Sequence, residues 1–315
     1  MRIAVAATWS LILLLTISTA SAKTIYVNNV EGDNRFNGQT PGYAPGDSYG
    51  PVRSIAKALV MAESGDTISL ADTGRPYYET ISLTGDRLDG DGFSRLTIEG
   101  NGAVLDGSTS VPVESWEHQS GWVHRFRPRY VSHQQLFLND RPLDRVESDP
   151  WTEEPPKLEP LQWCLHGGFI YFHTEVLRDP WQYDLSYAYH PTGATLFHCE
   201  SVTIRDLTIQ GFQLDGINAF NSARDIVLEG VTCRGNGRSG IAVGPCSDVL
   251  VNGCLIGDNG ECQLLAGAIS ATLVVDSELI SNTGPAWSLD PEAALVVDGM
   301  TIDPDDREPS LPQTL

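Results

Sequence analysis

Hydrophobic and polar positions follow a unit that recurs about every two dozen residues from Val202 onward. Five segments align: VTIRDLTI from Val202, IVLEGVTC from Ile226, VLVNGCLI from Val249, LVVDSELI from Leu273 and LVVDGMTI from Leu295. Their starts lie 24, 23, 24 and 22 residues apart. In the first unit Val202, Ile204, Leu207 and Ile209 are apolar, and Thr203, Arg205, Thr208 and Gln210 are polar. That period of two marks strand with one face inward. The alternation slips at Arg205-Asp206, so two short strands meet at a bend, and Gly230, Gly253 and Gly299 stand at the slip in other units. A third short strand follows at Gly216-Ile217, Gly240-Ile241 and Leu264-Leu265, set off by turn signals at Asn236-Gly237, Asn259-Gly260 and Thr283-Gly284. Three strands per turn with no helix between them predict an all-β solenoid, a parallel β-helix. The Leu-x-x-Leu-x-Leu pattern of leucine-rich repeats does not recur.

Stacked coils bring equivalent residues to about 4.8 Å from one another. The expected inward columns are Val202/Ile226/Val249/Leu273/Leu295 and Ile204/Leu228/Val251/Val275/Val297. Each such side chain contributes roughly 1.5–3 kcal/mol on burial. Glu278 falls in the inward column of Leu207, Val231, Cys254 and Met300, and a bulge that turns it outward is expected there, because an unpaired buried carboxylate is costly.

The pattern divides the chain. Residues 1–22 read as a secretory signal: Arg2, a short apolar run, and Ala20-Ser21-Ala22 before Lys23. Residues 23–110 hold a first strand at Thr24–Val27, a helix over Pro51–Ala62 that covers the end of the solenoid, and early coils. Residues 111–190 lose the period. They carry Trp116, Trp122, Trp151, Trp163 and Trp181 and short alternating runs, which predict an inserted antiparallel β subdomain. The coils resume over 191–302, and 303–315 form a polar tail with no evident C-terminal cap.

The net charge is −21, and −22 once Arg2 is removed with the signal. Such acidity opposes nucleic acid and anionic membranes as partners, and nothing after the signal resembles a membrane span. The location expected is secreted: extracellular, periplasmic or cell-surface. Of the six cysteines, Cys233 and Cys254 fall at inward positions, where a free thiol packs as a small apolar group. Cys199 and Cys246 share a column two coils apart, about 9.6 Å by the stacking distance and beyond disulfide reach.

Two sets of residues carry a family likeness. TIYVNNVEGDNRFNG, GPVRSIAKALVMAESGDTISL and YYETI resemble the start of secreted right-handed β-helix proteins of the pectin-lyase-like superfamily. QQLFLNDRPLDRVESDPW, WCLHGGFIYFH and VTIRDLTIQGFQLDGI resemble the β-helix glycoside hydrolases of the family 141 type. The resemblance implies a right-handed helix and a polysaccharide partner, with cleavage of glycosidic bonds by hydrolysis or elimination. Those enzymes are longer and place their catalytic acids in later coils. The alternative is therefore a non-catalytic carbohydrate-binding or cell-surface structural β-helix, a truncated relative of the enzymes.

Three places could carry chemistry. The outward column Arg205, Glu229, Asn252, Asp276 and Asp298 puts two carboxylates one coil apart. Asp276 and Asp298 could share a Ca²⁺, which takes oxygen ligands and could acidify a uronate for elimination. They could instead serve as acid and nucleophile of a retaining glycosidase, whose carboxyl groups stand about 5–5.5 Å apart. Alternatively they are solvated strand-face charges, with Arg205 paired to Glu229. Asp215 and Asn218 flank the Gly216-Ile217 corner as a second candidate, or simply make a good turn. In the aromatic insertion, Trp122 and Trp163 are candidate sugar-stacking surfaces, or subdomain core.

Overall fold

The computed structural model describes residues 22–43, 48–85, 88, 94–130 and 132–304. The signal read at 1–22 and the tail at 303–315 lie outside the described residues, apart from Ala22, Asp303 and Pro304. Strands of successive coils hydrogen-bond in parallel to form three sheets. The long sheet stacks Thr24–Val27, Thr67–Leu70, Leu96–Glu99, Glu200–Arg205, Arg224–Glu229, Asp248–Asn252, Ala271–Val275 and Ala294–Val297. A second sheet stacks Val104–Asp106, Thr208–Gln210, Thr232–Arg234, Leu255–Gly257 and Glu278–Leu279. A third stacks Ile81–Thr84, Ala194–Phe197, Asp215–Phe220, Ser239–Val243, Cys262–Ala266 and Trp287–Leu289. Their inward side chains form one continuous aliphatic core.

The helix spans Ile55–Met61 rather than Pro51–Ala62. Ser54 is its N-cap, its hydroxyl accepting the Lys57 N–H at 3.2 Å, while Val52 still pairs as strand with Val27. Ile55, Ala58 and Leu59 face inward, and the helix packs on the first two strands of the long sheet.

The register of the last coils differs from the sequence alignment. Val249 pairs with Thr272, not Leu273, and Thr272 pairs with Leu295. The inward columns are therefore Val202/Ile226/Val249/Thr272/Leu295 and Ile204/Leu228/Val251/Val274/Val297. Leu273 faces solvent at 43% exposure. The bend explains the shift. Its residue lies in the left-handed region in four successive coils: Asp206 (φ 50°), Gly230 (59°), Gly253 (62°) and Asp276 (48°). Asp can adopt that conformation, so the bend of the fourth coil is Asp276 and not the residue after it. Glu278 accordingly pairs with Leu255 and points outward without a bulge.

The fifth unit does not complete a coil. Asp298 (φ 46°) and Gly299 form the two-residue turn of a hairpin, and Met300–Ile302 returns antiparallel along Leu295–Val297. Asp-Gly favours this tight turn because both central residues need positive φ. The returning strand pairs the last edge of the long sheet.

Thr272 stands in an otherwise aliphatic column, and its buried hydroxyl has no hydrogen-bond partner. Thr272→Val removes the orphan at nearly constant shape and should stabilise the protein by about 1 kcal/mol. A urea unfolding curve checks this. An unchanged or lower midpoint would contradict the register.

The insertion occupies the turn between Asp106 of the second sheet and Ala194 of the third. Later coils fill that position with tight turns at 235–238 and 258–261. It comprises two antiparallel sheets: Ser108–Ser110, Leu136–Leu138, Arg141–Pro142 and Leu185–Ala188; and Glu117–Ser120, Val123–Phe126, Trp163–His166 and Phe169–His173. Its core is separate from that of the coils and is built on Phe126, Leu136, Trp163, Ile170, Phe172 and Tyr187.

The six cysteines are free thiols. Cys233 and Cys254 are buried in the coil core, which pushes both thiols up. Burial likewise pushes Cys164 up to about 11 and Cys262 up to about 12. All four are packing groups at neutral pH.

Candidate functional site

The tight turns stack because they are internally satisfied. Asn236 and Asn259 are fully buried. Asn236 Nδ2 donates to Asn259 Oδ1 at 3.0 Å, and Asn259 Nδ2 donates to the Gly257 carbonyl at 2.9 Å and Gln263 Oε1 at 2.9 Å. Glycine follows each asparagine because the neighbouring coil is too near for a Cβ. One on Gly237 would meet the Gln213 carbonyl at 2.2 Å, and one on Gly260 the Gly237 carbonyl at 2.3 Å. The flanking residues Asp258 and Glu261 then project from this ledge, while Arg238 folds back onto the buried Asp215.

The insertion leans over this ledge and leaves a cleft of about 890 Å³. The coil wall supplies Asp258, Glu261, Asn282 and Thr283; the insertion wall supplies Gln135, Asp144, Arg145, Glu147 and Ser148. Four carboxylates against one guanidinium thus meet across the seam. His133 Nδ1 lies 2.7 Å from Glu261 Oε1, joining the two walls. Asn282 Nδ2 donates to Asp258 Oδ1 at 2.6 Å. Arg145 lies over the buried Trp163 ring, 5.5 Å from its centroid. Trp151, 91% exposed, stands in the loop that follows Glu147 and Ser148. A second cleft of about 390 Å³ adjoins the first through Pro142 and Asp258. Its floor is a polar ladder on the second sheet, where Gln210 Nε2 donates to Asp106 Oδ2 at 2.7 Å and Arg234 Nε donates to Gln210 Oε1 at 2.9 Å.

The residues singled out from the sequence lie elsewhere. Asp276 and Asp298 do not stand in the outward strand column. Asp276 aligns with Gly253 at the bend, Asp298 sits in the hairpin turn, and Asp298 Oδ1 accepts the Asp276 backbone N–H at 3.0 Å. Asp298 therefore turns one carboxylate oxygen to an amide, and both residues stand at turns. Among the described residues no group of three or more His, Cys, Asp or Glu is gathered to hold a metal. Arg205, Glu229 and Asn252 do share an outward column, continued by Glu99 on one side and Val275 on the other. Arg205 pairs with Glu99, not Glu229.

Asp215 is fully buried and fully partnered. Arg238 reaches it through Nε at 2.9 Å and Nη2 at 2.6 Å, Ser239 Oγ donates at 2.7 Å and Asn218 Nδ2 at 2.7 Å. The carboxylate holds the Arg238 guanidinium above its ordinary value. The Arg238 carbonyl in turn accepts the Glu261 N–H at 2.9 Å, so Asp215 and Asn218 brace the ledge from beneath. Trp163 is buried in the insertion core, its Nε1 donating to the Leu143 carbonyl at 3.0 Å, and offers no face to a sugar; Trp122 is half-buried.

Two imidazoles give the insertion a pH response. Burial pushes His124 and His190 below the ordinary value, and His124 Nδ1 is buried without a partner. The unfolded chain then takes up protons below about pH 6.5 that the folded chain refuses. Stability is complete above that pH and declines as pH falls through it. The midpoint of thermal unfolding should drop between pH 7.5 and 5.5, and His124→Leu should shrink the drop; an unchanged midpoint would contradict this.

Comparison with known proteins fits this architecture. Residues 188–303 match the family model described as the right handed beta helix region. A solved glycoside hydrolase is 11% identical, with 81% of this chain aligned to 73% of that one at a TM-score of 0.57. A pectate lyase is 14% identical (81% and 53% covered, TM-score 0.41), and a lacto-N-biosidase from Eubacterium ramulus is 12% identical (81% and 43% covered, TM-score 0.39). The sequence has no match among curated proteins. The chain folds as a parallel β-helix, and its residues 188–303 match the right-handed form. The family model covers its later coils, and the insertion that builds the cleft lies ahead of nearly all of that match. No helix among the described residues is long and apolar enough to cross a membrane.

Proposed function

We propose that this is a secreted carbohydrate-active protein that binds a polysaccharide in the cleft between the insertion and the stacked turns and cleaves a glycosidic bond there. The observation that carries this reading is the convergence of carboxylates from two facing walls, Asp258 and Glu261 opposite Asp144 and Glu147. Glycoside hydrolysis needs two carboxyl groups on either side of the scissile bond, one to protonate the leaving oxygen and one to activate water or attack. We assign proton transfer to Glu261, the carboxylate that His133 engages across the seam. Elimination at a uronate is the alternative chemistry.

Residues 23–315 are screened against a glycan panel. Reducing ends without ultraviolet absorbance of an unsaturated product indicate hydrolysis; both signals together indicate elimination. Silence in both channels from folded protein would sink the catalytic reading. Trp151 favours a binding role in that event, because an exposed indole three residues from Ser148 of the cleft wall can stack on a sugar ring. Retained glycan affinity that Trp151→Ala abolishes would establish it.

A further inference from the structure

The acidity of the chain has one clear local exception. Acidic residues outnumber basic ones 41 to 20, yet the segment Arg125-Phe126-Arg127-Pro128-Arg129-Tyr130 carries three arginines at alternate positions. His124, Phe126 and Pro128 are buried, so the arginines share the outer face of the insertion; Arg127 and Arg129 are exposed. The guanidinium groups are laid over aromatic rings. Arg125 lies 4.3 Å from the Phe169 centroid and Arg127 5.8 Å from the same ring. Arg129 lies 5.3 Å from the Tyr130 ring and 5.8 Å from the Tyr189 ring, and donates to the Tyr189 hydroxyl. Arg125 is neutralised by Glu117 at 2.9 Å. Among the described residues no carboxylate pairs with Arg127 or Arg129, and the groups that hold Arg129 above its ordinary value are the phenols of Tyr189, Tyr130 and Tyr187.

An arginine stacked on an aromatic ring keeps its N–H edge free for a planar anion while losing little side-chain freedom. Tyr130 is 49% exposed beside them, a ring on which a sugar can lie. The strip also leads to the cleft. The Tyr130 carbonyl accepts Gln134 Nε2 at 2.9 Å and, from the coils, Gln213 Nε2 at 3.5 Å, and His133 three residues on engages Glu261.

We propose that Arg127, Arg129 and Tyr130 form a binding track, outside the cleft, for a polysaccharide bearing carboxylate or sulfate groups. The glycan nature of the ligand rests on the function proposed above; the track itself rests on the strip. Alternating anionic groups meet Arg127 and Arg129, a ring stacks on Tyr130, and the polymer runs on toward Glu261. The net negative charge elsewhere restricts attraction to this strip, so binding is short-ranged and weakens with salt.

The test measures affinity of residues 23–315 for polygalacturonate, dextran sulfate, neutral dextran and single-stranded oligodeoxythymidine at low and high salt. Tight, salt-sensitive binding to one anionic polysaccharide is expected, and whichever of the two is preferred identifies the anionic group. Combined Arg127→Gln and Arg129→Gln should weaken it about tenfold or more, since charge-assisted hydrogen bonds are lost. Tyr130→Ala, an exposed change, should weaken it independently. Wild-type affinity in the arginine double variant overturns the proposal. So does failure to bind either anionic polysaccharide, or equal binding of dextran or oligodeoxythymidine. Glu261→Gln separates the two readings: it should leave track binding intact while lowering cleavage of short oligosaccharides about 10²–10⁴-fold.

Discussion

Trp163→Ala should cost about 3–5 kcal/mol and unfold the insertion while the coils persist. Trp163 is the largest side chain fully buried in the described structure and sits at the centre of a core that the coil residues do not share. Its removal leaves a cavity among Phe126, Leu136 and Phe172, frees the Leu143 carbonyl of its indole donor, and takes the ring from under Arg145. Because the coil core is a separate cluster, two transitions should replace one in thermal unfolding. Limited proteolysis should cut first between 107 and 190 and spare the coils. A single transition at the wild-type midpoint would contradict this division. Leu143, Asp144 and Arg145 form the cleft wall against Trp163, so glycan binding should fall with the first transition.

Glu261→Gln should lower glycan turnover by about 10²–10⁴-fold with little change in stability, the usual contribution of a positioned acid or base. The amide preserves size and the contact toward His133 but cannot deliver or accept the proton. Glu261 is 52% exposed and its N–H is held by the Arg238 carbonyl, so the turn keeps its form. Glu278→Gln, an exposed acid on the second sheet, serves as the control and should leave turnover unchanged. Wild-type turnover in Glu261→Gln would remove Glu261 from the chemistry.

The repeat was legible because each coil repeats its apolar residues at a nearly constant spacing, and a spacing near two dozen fits stacked short strands and little else. Its register failed by one residue in the fourth coil for a specific reason. Aspartate serves the bend at Asp206 and Asp276, so an aspartate read as a strand-face residue slid the alignment. The Asp298-Gly299 pair was itself a hairpin signal and was read as another bend. The aromatic insertion showed in the loss of period, but its docking on the turns depends on contacts such as His133 with Glu261, which no local pattern encodes.

For the same reason the candidate site was sought on strand faces and missed on the ledge. Asn236-Gly237 and Asn259-Gly260 were read only as turns. The available signal was that two acids, Asp258 and Glu261, flank an Asn-Gly turn; the fold buries the asparagine and leaves those acids lining the cleft. Trp163 and Trp122 were indistinguishable from Trp151 by residue type; burial, set by the fold of the insertion, separates them.

Glycan is expected to occupy the seam between insertion and coils. The most direct measurement is a crystal structure of Glu261→Gln with the oligosaccharide from the panel that binds best. Sugar density is expected between Asp144 and Glu147 on one side and Asp258 and residue 261 on the other. Sugar bound instead along the outer face of the long sheet, over Arg205, Glu229 and Asn252, would contradict it.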